Sequence, residues 1–217
     1  MKNKSDTNLV RHYCSKNENE IFDVSFMQNH FRDITNSNLR KYVSRLVEER
    51  ILTPISKGVY YIGANPTDEE VDRAIRRCYL RIDCRPIKET LLYKLGIIEK
   101  EPEVKTYFKY WPFGNKKVFN YQFIESKNTE YLWGNNKLQL LDLIACEKMI
   151  SDDDFPKYTF ELMRMAEKYN ASKEDCDRHI EYPRWVYLRL ANLLDVMHIS
   201  NRVMQDYDNK IEASDRS

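Results

Sequence analysis

NSNLRKYVSRLVEERILTPISKGVYYI, residues 36–62, reads as a helix that runs straight into a β-hairpin. Leu39, Val43, Leu46 and Val47 recur every three or four residues, the spacing of one apolar helix face. Thr35 or Asn36 stands where an N-cap belongs, and the helix closes at Glu48-Glu49-Arg50. The strand-like ILTPI and VYYI then flank the turn SKG, where Gly58 can take the positive φ of a tight turn. At about 100° per residue, the side opposite Leu39 and Val43 carries Ser37, Lys41, Ser44 and Arg45, flanked by Asn38 and Arg40. Glu48 shares that side at its C-terminal end.

Upstream, SDTNLVRHYCSKN places Leu9, Val10, Tyr13 and Cys14 on one face of a first helix. FDVSFMQNHFRDIT starts a second, with Asp23 as N-cap and Phe26, Met27, His30 and Phe31 on one side, closed by the turn RDIT. Three short helices followed by a hairpin is the order of a winged helix-turn-helix. In that arrangement the third helix reads bases, chiefly with its N-terminal half. Arg suits guanine, Asn suits adenine, Ser adapts, and Lys supplies a point charge for phosphate. The candidate nucleic-acid-binding residues are therefore Ser37, Asn38, Arg40, Lys41, Ser44 and Arg45, with Lys57 at the wing tip. A helix face of Ser, Lys and Arg is also what any solvated helix carries. Its place after a tight turn and before a basic hairpin favours DNA.

GANPTDEE, residues 63–70, combines turn residues with a Thr67/Glu70 capping box, so a domain boundary is expected at 63/64. Beyond it, DEEVDRAIRRCYLRI and IKETLLYKLGI read as helices, the latter ended by Gly96. EVKTYFKYWPF and KKVFNYQFIES read as two aromatic strands joined by a Gly-Asn turn, and EYLWGNNKL as a short edge strand. Alternation turns about half of those aromatics inward. The outward half, near Lys105, Lys109, Lys116 and Lys117, could serve RNA binding or partner docking. Helices return with Leu138, Leu140, Leu141 and Ile144; with Phe160, Leu162, Met163 and Met165; and with Trp185, Leu188, Leu190 and Leu194. DNKIEASDRS reads as a frayed tail.

Hydrophobic residues form 42% and charged residues 32% of 217, the balance of a globular protein. Residues 1–63 hold ten Lys and Arg against seven Asp and Glu, so a net +1 divides into +3 there and −2 beyond. Any nucleic-acid contact is thus local and N-terminal. Five glycines form no phosphate-cradling motif. No apolar run is long enough to span a bilayer, and MKNKSDTNLVRHYC lacks the apolar core of a signal peptide, so a cytoplasmic protein is expected. The five cysteines show no C-x-x-C pair and read as free thiols.

No catalytic residue, metal site or cofactor is read from the sequence, and a non-enzyme is expected. His12, His30, His179 and His198 form no metal-binding spacing; His30 reads as a packed histidine. Ser151 with Asp152, Asp153 and Asp154 suits a helix N-terminus better than a metal cluster. Cys176 and His179 stand one helical turn apart but have no third group to orient them.

LRKYVSRLVEERILTPISKGVYYI resembles the helix and wing of the bacterial abortive-infection AbiEi-type antitoxins, with Gly58, Val59 and Tyr60 in their Gly-hydrophobic-Tyr element. TLLYKLGIIEKEPEVKTYFKY is similar to their Leu-Gly-Leu turn, linker and strand, through Leu95, Gly96, Ile97, Pro102 and residues 104–110. HIEYPRWVYLRLANLLDV resembles their closing helices through Tyr182, Pro183, Arg189 and Leu190. The resemblance implies an N-terminal winged helix, an α+β antitoxin domain, and repression of the protein's own operon at inverted repeats in its promoter. It further implies a nucleotidyltransferase-type toxin encoded next door and countered without a stable complex. The weakly basic first domain departs from a strong DNA binder, so affinity would draw on a homodimer or on cooperative binding.

The expectation is an α+β chain: a winged helix-turn-helix over 1–63, then a mixed α+β domain over 64–217 that ends in helices. Its function is double-stranded-DNA binding as the antitoxin and autorepressor of a toxin–antitoxin operon. The alternative is a protein-interaction module in which the C-terminal domain docks or neutralises a partner and the winged helix is structural.

Overall fold

The computed structural model describes residues 2–80, 84–109, 114–127, 136–169 and 179–215. The chain is mixed α and β and divides into two compact units, Met1–Arg81 with Lys117–Phe119, and Ile82–Lys116 with Asn120–Ser217.

The first unit runs α1 (Lys2–Lys16), β1 (Ile21–Asp23), α2 (Val24–His30), α3 (Asn36–Glu48), β2 (Leu52–Ser56), β3 (Val59–Ile62) and α4 (Asp68–Tyr79). The hairpin β2–β3 gains β1 on its far side, so the sheet is three-stranded and antiparallel in the order β1-β3-β2. Pro54 is tolerated because β2 is an edge strand, and the register shifts between Pro54 and Ser56. Gly58 turns the hairpin at φ 74°. Val10, Cys14, Phe22, Leu39, Val43, Leu46, Leu52 and Ile62 share one core. Tyr42 is buried in it as well, and Val47 packs at its edge.

Asp23 caps α2 through the Ser25 N–H at 3.0 Å, and its other oxygen accepts the Tyr79 hydroxyl at 2.6 Å. Burial, then Asp23, pushes the Tyr79 phenol up. Thr67 and Glu70 form the expected capping box. The compact unit nevertheless extends past the 63/64 boundary read from the sequence, because Tyr79 pins α4 to Asp23 of β1.

Two first-unit expectations are corrected. Leu9 is 54% exposed, because Val10 and Cys14 carry the buried face of α1. His30 is exposed at the end of α2 rather than packed in the core, its ring against Tyr13 and Phe31.

Beyond Arg81 the chain contains β4 (Cys84–Pro86), α5 (Glu89–Lys94), β5 (Lys105–Lys109), β6 (Lys116–Val118, whose last two residues belong to the first unit), β7 (Tyr121–Glu125), α6 (Asn136–Ala145), a 3-10 turn (Glu147–Met149), α7 (Phe155–Ala166), α8 (Arg184–Val196) and α9 (Val203–Asp215). These strands form a sheet in the order β4-β5-β7-β6. The expected β5–β6 hairpin across Gly-Asn is not formed. β5 pairs with β7 in parallel, Tyr107 opposite Phe123, and β6 lies on the outer side of β7. A parallel strand is covered on both faces, and β5 is buried along almost its whole length. Lys105 and Lys109, expected outside, are therefore buried. Lys105 reaches Glu101 at 3.1 Å and lies over the Tyr121 ring, while Lys109 Nζ stands 3.7 Å from Cys84 Sγ. Tyr107, Tyr121 and Phe123 stack on one another inside, which withdraws them from base stacking.

Helix α6 is buried almost all round, as a central helix is. Helices α7 and α8 pack on it, and α9 on α8. Phe160 and Met163 of α7, and Trp185 and Leu188 of α8, read as core, are exposed; Tyr158, Val186, Tyr187 and Ala191 fill those places. Residues 208–215, read as a frayed tail, continue α9. Residues 136–138 of the expected edge strand EYLWGNNKL are helical, and 130–135 lie outside the described residues, as does Cys176. Ser151 and Asp154 bond each other at the start of α7. Among the described residues, no helix is long and apolar enough to cross a membrane. No group of three or more His, Cys, Asp or Glu there could hold a metal ion.

Candidate nucleic-acid interface

Helix α3 is held at both ends. Thr35 Oγ1 accepts the Asn38 N–H at 3.3 Å, satisfying one of the donors that a helix start leaves free. At the other end Arg50 takes a left-handed φ of 59°. Its N–H bonds to Val47 O at 3.0 Å and that of Ile51 to Leu46 O at 2.9 Å, the paired closure of a Schellman motif. The buried stripe Leu39, Tyr42, Val43 and Leu46 fixes the rotation of the helix about its axis. Its free face is thereby determined.

That face carries the side chains expected from the sequence. Ser37, Arg40, Lys41, Ser44 and Arg45 are exposed and Asn38 is half-buried. Arg40 Nε donates to Asn36 Oδ1 at 3.1 Å, which holds its guanidinium along the first turn. Ser44 Oγ donates to Arg40 O at 3.1 Å, so its hydroxyl oxygen still has accepting capacity. Lys57 is exposed at the tip of the β2–β3 turn. Among the described residues, Lys41, Arg45 and Lys57 make no ion pair. The two acids at the end of α3 differ. Glu49 is engaged by Arg11, whose Nη2 stands 2.8 Å from each carboxylate oxygen. Glu48 stays exposed, leaving one negative charge against four positive ones. Asn36, whose side chain orients Arg40, was missed because it reads equally well as a cap.

A second cluster, in the other unit, escaped sequence reading altogether. Arg85 of β4 is 3% exposed and Asp142 of α6 is 1% exposed. Arg85 Nε lies 2.5 Å from Asp142 Oδ2, and its Nη2 donates to Glu181 Oε2 at 2.9 Å. The guanidinium sits 5.0 Å from the centre of the Phe108 ring. Tyr182 donates to Asp142, while Ser126 and the Lys127 N–H donate to Glu181. Burial raises the Asp142 carboxyl to about 6, although Arg85 and Tyr182 pull it down. Burial also acts to lower the Arg85 pKa, but Asp142 foremost outweighs it and holds the guanidinium charged. Burial and Asp142 push the Tyr182 phenol well up. The cluster ties β4, the end of β7, α6 and the approach to α8 together, a fastening role. Its one sequence signal was an aspartate inside the apolar run LQLLDLIA.

No protein-family model matches this chain, and no curated protein matches it.

Proposed function

We propose that the first unit is a winged helix-turn-helix and that the protein is a transcriptional regulator that binds double-stranded DNA. The observation that carries this reading is the free face of α3: a capped, rigid helix presenting cations that the fold does not use. In the proposed complex the N-terminal half of α3 enters the major groove. There Ser37, Asn38 and Arg40 face base edges, while Lys41 and Arg45 meet phosphates on either side. Lys57 follows the backbone from the wing. Glu48 keeps the C-terminal end of α3 away from the phosphates.

The likeness to AbiEi-type antitoxins, carried by residues 39–62 together with Leu95-Gly96 and Tyr182-Pro183, supplies the biological setting. We infer that the protein acts in the cytoplasm, represses its own operon at inverted repeats, and counters a nucleotidyltransferase-type toxin encoded next door without a stable complex. The second reading, a docking module, draws support from Phe160 at 66% and Met163 at 46% exposure on α7.

The test is titration of the protein's own promoter fragment against salt. Each phosphate neutralised contributes about −0.9 to the slope of log affinity on log salt, so Lys41, Arg45 and Lys57 give about −2.7 per protomer. Affinity should then fall roughly 40-fold between about 50 and 200 mM salt. Lys41→Ala and Arg45→Ala should each reduce the slope by about 0.9. Unchanged slopes in both variants would remove α3 from the mechanism. Loss of toxin neutralisation in Phe160→Ser, with promoter binding intact, would favour the docking reading for the second unit.

A further inference from the structure

The first unit has a feature that the DNA reading leaves unused. A cleft of about 370 Å³ opens between the C-terminal half of α1 and the turn that joins α2 to α3. None of the candidate interface residues lines it. Its volume is in the range of pockets that hold small molecules.

The lining is chemically biased. His12, Lys16, His30 and Arg32 border it, against a single acid, Asp33. Arg32 uses Nε on Asn29 O at 3.2 Å, which leaves its terminal nitrogens to the cleft. Among the described residues neither Lys16 nor Arg32 is ion-paired. The wall behind these cations is aromatic. The ring of His30 stands 5.0 Å from that of Tyr13 and 4.8 Å from that of Phe31, and Tyr13 meets Phe31 edge-on at 5.7 Å. Buried Ile34 adds an apolar patch. The Asn17 amide is anchored on Tyr13 O at 2.8 Å, leaving its carbonyl oxygen to accept. Cations beside a ring wall are the two halves of a site for one ligand type.

We propose that this cleft binds a small organic anion built on a planar ring. The ring lies on the Tyr13–His30–Phe31 wall, and its carboxylate or phosphate lies between Lys16 and Arg32, where the guanidinium can grip it in bidentate fashion. The location gives binding a consequence. Ile34 leads directly to Thr35, the cap of α3, and the Gln28 side-chain amide holds Ile34 O at 2.8 Å. A ligand in the cleft therefore rests on the turn that sets the start of α3.

The site is tested on the full chain without DNA, so its failure is separable from that of the DNA reading. Amide shifts are followed by NMR during titration with salicylate, with adenosine 5′-monophosphate and with inorganic phosphate. Saturable shifts at residues 9–17 and 30–34 are expected with either ring-bearing probe, which should bind at least about tenfold more tightly than inorganic phosphate. Lys16→Glu and Arg32→Glu are surface changes and should each weaken binding at least about tenfold with an unchanged thermal melt. His30→Ala should lower affinity for the ring-bearing probes and leave that for phosphate unchanged. Three results would overturn the proposal: no saturable shift at these amides with millimolar probe, unaltered affinity in both charge reversals, or inorganic phosphate binding as tightly as the ring-bearing anions.

Discussion

Replacing Arg85 with Met should destabilise the second unit by about 3–5 kcal/mol, the cost of leaving a buried countercharge unpaired. The figure follows from the geometry. Unit charges about 4 Å apart attract by about 4 kcal/mol at an effective dielectric of ~20, and each buried ion gives up several kcal/mol of hydration. The intact Arg85–Asp142–Glu181 group is thus near balance, whereas Arg85→Met leaves Asp142 buried without the Arg85 charge. The assay is urea unfolding followed by tryptophan fluorescence. The first unit contains no tryptophan and Trp185 stands in α8 of the second, so the signal carries no contribution from the first unit. The pH dependence has a defined sign. Asp142 titrates at about 6 in the fold against 3.8 ordinarily, so its burial costs stability progressively as pH rises from about 4 to 6. Without Arg85 its pKa moves higher still. The deficit of Arg85→Met should therefore be greatest above pH 6 and shrink as pH falls through 6. The double variant Arg85→Met/Asp142→Leu should recover much of the loss. A deficit below about 1 kcal/mol, or additive effects in the double variant, would refute the reasoning.

Three further changes probe the first unit, each read by a circular-dichroism melt. Thr35→Ala removes the α3 cap and should cost about 1 kcal/mol. Arg50→Gly relieves a left-handed residue in the Schellman closure and should stabilise by up to about 1 kcal/mol, with loss of stability the contrary outcome. Tyr79→Phe takes the hydroxyl from buried Asp23 and should cost about 1–3 kcal/mol, whereas a neutral result would mean that α4 is not fastened there.

What was legible in the sequence was what short-range periodicity encodes. The stripe of α3, its Thr35 cap, Gly58 in the hairpin turn and the Thr67–Glu70 box all involve neighbours a few residues apart, and all are found in the structure. The closures of α3 and α8 were less visible than that of α5. Gly96 announces a left-handed position, while Arg50 and His198 take the same conformation without a glycine to mark it. Strand β1 is three residues long and is made by pairing with β3, so no local pattern identifies it. The parallel β5–β7 pair misled for a related reason. A Gly-Asn turn between aromatic runs is a hairpin signal, but β6 takes that place in the chain and moves β7 beside β5. Lys105 and Lys109 followed β5 inward, the Lys105 ammonium lying over the Tyr121 ring and that of Lys109 beside Cys84 Sγ.

The same residue types had to be read differently in the two units. Arg85, Asp142 and Glu181 are far apart in sequence, and only the fold brings them together; once buried, each must be satisfied from within the chain or be very costly. Such a group is committed to the fold and has little left for a partner. Lys41, Arg45 and Lys57 are in the opposite situation, since water solvates them at no cost to folding. Stability therefore places no constraint on their identity, and Ala at any of the three should leave the melt within about 0.5 kcal/mol of the parent. If promoter affinity drops while the melt holds, those charges serve a partner, and the free face of α3 is an interface rather than a solvated surface.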